Sequence, residues 1–523
     1  MSKIATLFLL CAALTAHAQQ APPIEWQRCL GGSAADQGTA IELTADGGFI
    51  VVGSSGSADG DLTANHGGSD LWIVKLDSGG NIVWQRNLGG SGNDAGRSVQ
   101  ETLDGGYIVA GNTTSNDGDV LGHHGGPDPY DAWVVKLDSL GELQWQRCLG
   151  GLSNDWGQDI RPTTDGGYVL LGSTLSNGGD VSGNHGGFDI WVVKLDAGGA
   201  IEWQRCLGGS GNDSGRAIRQ TTDGGYVLVG NTSSNDGDVS GLHGGSDVWV
   251  VKLDPAGEPQ WQRCLGGSAL DIGLAMELAP DGGYIVAGRT GSDDGDVTGF
   301  HGGGDGWAVK LDPSGVLEWQ LCVGGSDLEE LFAVDVLADG YVLAGITYSN
   351  DGDVTDHQGA MDIWVVRLQA DGSMAWQRTL GGTGNDIGLS VRALVDGGMA
   401  VAGGTVSADG DVTCHIGGGD LWLVKLGAEH TAIADLPGST ARFAIHPNPT
   451  RGELIASIST PVHAEVGLHL FDVASRPLRT LYRGWMPAGG RELRFSIEDL
   501  PAGIYFLRAE VGGRSTTQKV VKL

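Results

Sequence analysis

Fourteen of the chain's tryptophans fall into two series with one spacing. The first runs Trp26, Trp84, Trp145, Trp203, Trp261, Trp319 and Trp376, the second Trp72, Trp133, Trp191, Trp249, Trp307, Trp364 and Trp422. A period near 58 residues, held through seven copies, means that one supersecondary unit is repeated. Such a unit cannot bury its apolar face alone and must stack on its neighbours, so the chain is a repeat architecture before it is anything else.

Four strands can be read in each copy. In the best of them, residues 203–261, they are AIRQT, YVLVGNT, DVWVVKL and PQWQRCL, bounded by glycine and aspartate. The second and third barely alternate, as expected of strands covered on both faces. The first copy opens on IEWQRCL, a fourth strand without its first three, and the array stops on DLWLVKL, a third strand without its fourth. Each fragment supplies what the other lacks, and a strand from the N-terminus would leave no free sheet edge. An all-β fold follows: a seven-bladed β-propeller of four-stranded blades over residues 19–430, closed by the N-terminal strand. Antiparallel order puts the short DGG turns (Asp46, Asp104, Asp165, Asp223, Asp281, Asp396) on one side and the long Gly/Asp-rich loops on the other.

The ends of the chain read differently. Residues 1–18 carry Lys3, an apolar run and a small-x-small ending, the pattern of a removed secretory signal cut between Ala18 and Gln19. The run is too short to span a bilayer, and no membrane insertion is expected. After a linker at 431–438, residues 439–523 carry 11 Lys and Arg against 7 Asp and Glu, whereas the mature chain before them stands at −38 within a whole-chain charge of −33. This last region alternates apolar and polar residues between turns, which suits a small Ig-like β-sandwich.

Three landmarks appear there in order. They are PNPTRG with Pro447, Asn448, Pro449 and Gly452, then LPAGIYFLR with Gly503 and Tyr505, then a terminal KVVKL with Lys519 and Lys522. Together they resemble the type A sorting domain of the type IX secretion system of Bacteroidota. The resemblance implies export via the periplasm, handling by the type IX machinery, and a secreted or cell-surface destination. In the repeats, KLDPAGEPQWQR resembles the docking motif of quinoprotein-type propellers, in which a tryptophan wedges against a neighbour's glycine. GGYVLVG and GGSGND resemble repeats of secreted bacterial seven-bladed propellers, and neither carries a catalytic residue.

Chemistry is harder to place. The long loops set two carboxylates close together and a third several residues on: Asp59, Asp61, Asp70; Asp117, Asp119, Asp131; Asp236, Asp238, Asp247; Asp294, Asp296, Asp305; Asp351, Asp353, Asp362; and Asp409, Asp411, Asp420. Oxygen ligands in a glycine-permitted turn suit calcium, the one cofactor the sequence suggests, although no copy has the EF-hand spacing. The alternative is that these aspartates cap their own turns while a histidine in each loop packs it. Asp36, Asp94, Asp155, Asp213, Asp271 and Asp386 of the GGSGND loop read as structural turns. One first-strand position varies between copies, Glu42, Gln100, Arg161, Arg219, Glu277, Asp335 and Arg392, and reads as a charge-balanced channel lining. Cys29, Cys148, Cys206, Cys264 and Cys322 share one strand position and read as buried free thiols. Cys414 lies in the loop of the unit that Cys29 completes, so a bond is within reach, but the free-thiol reading is favoured.

Seven similar loops supply the same groups seven times, whereas catalysis needs different groups at one place. No catalytic residue is assigned. The reading is a monomeric binding or adhesion module with an unknown glycan or protein ligand, acting through its acidic loops. The alternatives are a surface enzyme acting on polysaccharide or peptide, and a structural surface component. The strong negative charge excludes nucleic acid as a partner.

Overall fold

The computed structural model describes residues 21–62, 64–126, 129–428, 434–435, 442–460, 464–472, 476–486, 489–511 and 514–523. The expected signal peptide, with Ala18 and Gln19, and most of the linker lie outside the described residues. Two compact units emerge, one of Pro22–Ala428 and one holding Glu429–Leu523. Every named element among the described residues is a strand.

In the larger unit, seven four-stranded antiparallel sheets follow one another. The sheet of Asp213–Gln220, Tyr226–Thr232, Asp247–Leu253 and Pro259–Leu265 stands for six of them, each built from consecutive strands. Its second and third strands form because runs of Val and Leu bury both faces at once: Val227, Leu228, Val229 and Val250 are all fully buried. Sheets meet face to face, so Leu171, Ile190 and Val192 of one share a cluster with Ile218, Leu228 and Trp249 of the next. Each such side chain contributes roughly 1.5–3 kcal/mol by leaving water. The third-strand tryptophan is anchored by the fourth-strand glutamine, as in Trp249 Nε1 to Gln262 Oε1 at 2.8 Å.

The seventh sheet is assembled from both ends of the array. Ile24–Leu30 lies antiparallel to Asp420–Leu426, with Cys29 opposite Trp422. Here too Trp422 Nε1 donates to the N-terminal strand's Gln27 Oε1, at 3.0 Å.

Neighbouring sheets are locked by one recurring contact. Trp203 meets Tyr226 of the next sheet at 5.8 Å between ring centroids, and Arg205 sits 5.8 Å over Trp203 while bonding Ala256 O at 3.2 Å and Glu258 Oε1 at 2.5 Å. Gly257 must be glycine: its φ is +81°, and an added Cβ would lie 2.7 Å from the Trp203 ring. Trp26 repeats the arrangement against Phe49 at 5.8 Å and Gly80, with Arg28 donating to Gly79 O at 2.8 Å. The last sheet therefore meets the first through the same Trp–Gly–Arg contact that Trp84, Trp145, Trp203 and Trp261 make with their neighbours, and the row of sheets closes on itself.

Two features depart from the sequence reading. Cys29 and Cys414 form a disulfide, with Cα atoms 5.3 Å apart across 385 residues, so these two thiols are not free. Cys29 stands on the strand that completes the sheet and Cys414 in the loop folded against it, a pairing that exists only once the split sheet is assembled. Cys148, Cys206, Cys264 and Cys322 are free and buried. Burial, with nearby aspartates, pushes the thiols of Cys206, Cys264 and Cys322 up to about 12, so they stay protonated. The second departure is the third-strand lysine, which reaches the short turns: Lys252 Nζ pairs with Asp223 at 2.9 Å, Lys75 with Asp46 at 2.9 Å and Lys136 with Asp104 at 3.0 Å.

The second unit holds two four-stranded sheets around one core. Ala434–Asp435, Arg442–His446, Glu453–Thr460 and Gly489–Ser496 form the first, and Pro477–Met486, Ala464–Asp472, Gly503–Val511 and Arg514–Lys522 the second. Phe443, Ile445 and Leu454 pack with Leu468, Leu507 and Val520 between them. The sorting landmarks converge here. Asn448 accepts from Val521 N at 2.7 Å and donates to Lys519 O at 2.8 Å, and Tyr505 OH donates to Pro501 O at 2.7 Å.

Candidate functional site: the central cavity

Each first strand opens with an aspartate, or Glu329 in the sixth sheet, that ties down the preceding glycine loop. Asp213 Oδ2 accepts from Gly209 N and Ser234 Oγ, both at 2.8 Å, which bears on the turn rather than on any ligand. Three residues on, the pairing register slips in all seven sheets, between Gly96 and Ser98 for example, or Gly215 and Ala217. A bulge leaves one residue unpaired and re-aims its side chain. The bulged residues are Thr39, Arg97, Gln158, Arg216, Leu274, Phe332 and Leu389, and all seven line one cavity of about 200 Å³.

Further along the same strands lies the varied position noted in the sequence. Its charges are consumed by one another. Arg219 Nη1 pairs with Asp159 Oδ2 at 2.7 Å and its Nε with Glu277 at 2.9 Å; Arg392 pairs with Glu42 at 3.1 Å, and Gln100 donates to Glu42 at 2.8 Å. Arg161 reaches Asp159 at 3.1 Å, and Asp335 accepts from Ala393 N at 2.7 Å. Burial alone would raise the carboxyls of Asp159 and Glu277, but the surrounding arginines override it and hold both at about 2. Glu42 is likewise held below its ordinary value by Arg392 and Arg161 despite burial. Asp335 is raised, burial outweighing Arg392. Asp159 and the whole bulged ring were missed in the sequence, although aligning the seven copies column by column would expose both.

Arg97 and Arg216 differ from the arginines beneath them. Neither has a hydrogen bond or ion pair among the described residues, and both remain open to water within the cavity. Surrounding protein still strips away much of their bulk solvation. Burial lowers both guanidinium pKa values, and for Arg216 the charge of Arg97 lowers it further while Glu330 partly compensates.

The loop aspartates are placed apart, each in a separate role. Asp236 Oδ1 accepts from Ser210 N at 2.7 Å, Asp238 Oδ2 from Gly208 N at 3.2 Å, and Asp247 Oδ2 from both His243 N at 2.9 Å and His243 Nδ1 at 2.7 Å. Asp59, Asp61 and Asp70 serve Ser33, Gly31 and His66 in the same way, and Asp117, Asp119 and Asp131 serve Ser91, Gly89 and His124. So do Asp294, Asp296 and Asp305, and Asp351 and Asp353. Asp409 accepts from Thr383 N, while Asp362 and Asp420 hold Gln358 N and Ile416 N where the histidine is displaced. Asp411 instead accepts from Gln358 Nε2 at 3.1 Å. Among the described residues no three His, Cys, Asp or Glu side chains gather as a metal would require.

The third aspartate of each loop is fully buried. Burial raises the carboxyls of Asp131, Asp189, Asp247, Asp305 and Asp362, against the hydrogen bonds they accept. For Asp247 a further contribution comes from Asp271 at the start of the next sheet.

Residues 444–523 match the family model of the secretion system C-terminal sorting domain. That tail marks the chain as cargo of the type IX secretion machinery, secreted or held at the cell surface. The chain is similar to the regulatory protein FlaEY of Caulobacter vibrioides, 26% identical over 366 residues. That match covers 65% of this chain and 34% of the relative, so the chain spans about a third of the relative's length. Among solved structures, Sqt1 from Chaetomium thermophilum is similar at 12% identity and a TM-score of 0.39, over 82% of this chain and 97% of that one. The plexin A4 extracellular region is similar at 8% identity and a TM-score of 0.46, over 94% of this chain and 67% of that one. The description of repeated four-stranded, propeller-like sheets therefore rests on the strand pairings themselves.

Proposed function

We propose that this is a seven-bladed β-propeller with an Ig-like sorting tail, made with a removable signal at 1–18, carried through the periplasm of a Bacteroidota cell and delivered outside as a binding module. The observation that supports binding is the cavity on the axis of the ring, the place where seven near-identical repeats present bulged side chains of five different kinds. Repetition elsewhere serves the fold. The acidic Gly/Asp-rich loops remain the other candidate surface: one oxygen of each third aspartate caps its turn, while the buried Oδ1 of Asp70, Asp131, Asp189, Asp247, Asp305, Asp362 and Asp420 has no hydrogen-bond partner among the described residues. A glycan and peptide array probed with the mature chain, residues 19–523, tests this. Saturable binding without turnover is expected; release of a product would favour a surface enzyme, and a blank array a structural component.

A further inference from the structure

We propose that the axial cavity is a site for a small organic monoanion, a carboxylate carried on an apolar group, held by Arg97 and Arg216 against a wall of Leu274, Phe332 and Leu389. The inference rests on the binding-module reading and names the ligand class.

The bulged ring is divided, not mixed. Passing around the axis, Arg97, Gln158 and Arg216 come from three consecutive sheets, and Leu274, Phe332 and Leu389 from the next three. One side thus offers cations and an amide, and the facing side offers hydrocarbon and an aromatic ring. A guanidinium presents a planar fork of donors that suits a carboxylate two bonds at a time. Both arginines have these donors unspent, while every arginine beneath them is already paired. A charge in a partly dehydrated cavity without a counter-ion is costly, and a bound anion relieves that cost.

Size and charge narrow the class. The cavity of about 200 Å³ holds several waters and has room for an amino-acid-sized group. Arg161, Arg219 and Arg392 are paired with Asp159, Glu277 and Glu42, so the positive charge left unpaired at the cavity is that of Arg97 and Arg216, which suits an anion. The acidic exterior repels a polyanion approaching from outside, but at physiological salt its field fades over about 8 Å, so the local excess decides what settles on the axis.

The chemistry fits both a free apolar acid and a peptide's C-terminal residue. Calorimetric titration of the mature chain with isocaproate, with Gly-Gly-Leu bearing a free carboxylate, and with its C-terminal amide separates these. Saturable binding of at least one carboxylate, at least tenfold tighter than the amide, is expected, and whichever carboxylate binds identifies the source. Arg97→Gln with Arg216→Gln should weaken it at least tenfold, with the melting temperature not lowered, because neither side chain is bonded. Arg97→Lys with Arg216→Lys, which keeps the charge, should retain more affinity than the glutamine pair. Equal binding of amide and acid, unaltered affinity in the glutamine pair, or no saturable binding of either acid overturns the inference. If the mature chain binds an array ligand and the glutamine pair binds it equally well, the cavity inference falls while the binding-module reading stands; a blank array together with no saturable binding of either acid removes both.

Discussion

At single positions the ring depends on contacts that leave no room for adjustment. Gly257 faces the Trp203 ring with φ at +81°. Gly257→Ala combines a left-handed backbone with a steric clash, and should cost about 2–4 kcal/mol in denaturant unfolding. Protonation acts at the same scale. Asp94, Asp131, Asp155, Asp189 and Asp247 have raised pKa values from burial, so they bind protons more tightly folded than unfolded. Their contribution favours folding at acid pH and is lost as pH rises through the raised values. Asp46, Asp104, Asp165 and Asp223 are held at about 2, Asp223 first by the Thr221 hydroxyl and the others by hydrogen bonds and a lysine that outweigh burial. Their contribution is present above 3.8 and is lost as pH falls toward about 2. Melting temperature measured against pH should therefore peak on the acid side of neutrality, above 3.8, and a peak at alkaline pH would contradict the burial of these groups.

At the level of strands and loops, much was legible. The four strands per repeat follow from apolar runs between Gly/Asp turns, and the split last sheet from a fourth strand without partners. The bulge was not legible, because a one-residue slip leaves no mark in composition: Arg97 reads simply as a polar residue between Gly96 and Ser98. Asp159 escaped notice for a related reason, standing where the other sheets carry Ala or Ser. The Cys29–Cys414 bond joins residues 385 apart: the repeats put the two cysteines within reach through the split last sheet, but the five equivalent strand cysteines favour the free-thiol reading. Reducing it, or Cys414→Ser, should lower stability by about 2–4 kcal/mol by freeing the unfolded chain, seen as a lower denaturant midpoint. The loop aspartates, held apart in separate hydrogen bonds, lead to a further expectation. Calcium and sodium chloride at matched ionic strength should shift the melting temperature alike, and a rise specific to millimolar calcium would show that the loops gather around the ion after all.

For the whole molecule, closure unites these observations. Sheet packing, the Trp–Gly–Arg lock and the glutamine anchor of Trp422 all recur where the two ends of the array meet, and the cavity exists because the first strands of all seven sheets face one axis. The sorting unit is a separate matter, read by its own landmarks around Asn448 and Tyr505. Removing the last strand, residues 514–523, should leave the ring folded and its melting unchanged while abolishing delivery to the surface, followed by fractionation and surface protease digestion. The closed ring itself is tested most directly by calorimetry on the mature chain with and without residues 22–31. Their loss removes the Ile24–Leu30 strand, the Trp26 contact and the disulfide together, exposing the edge of Asp420–Leu426. The ring's transition should then fall by several degrees, in keeping with a loss of several kcal/mol at roughly 1 °C each for a unit of this size. A truncated chain that melts as the full one does would show that the N-terminal strand closes nothing.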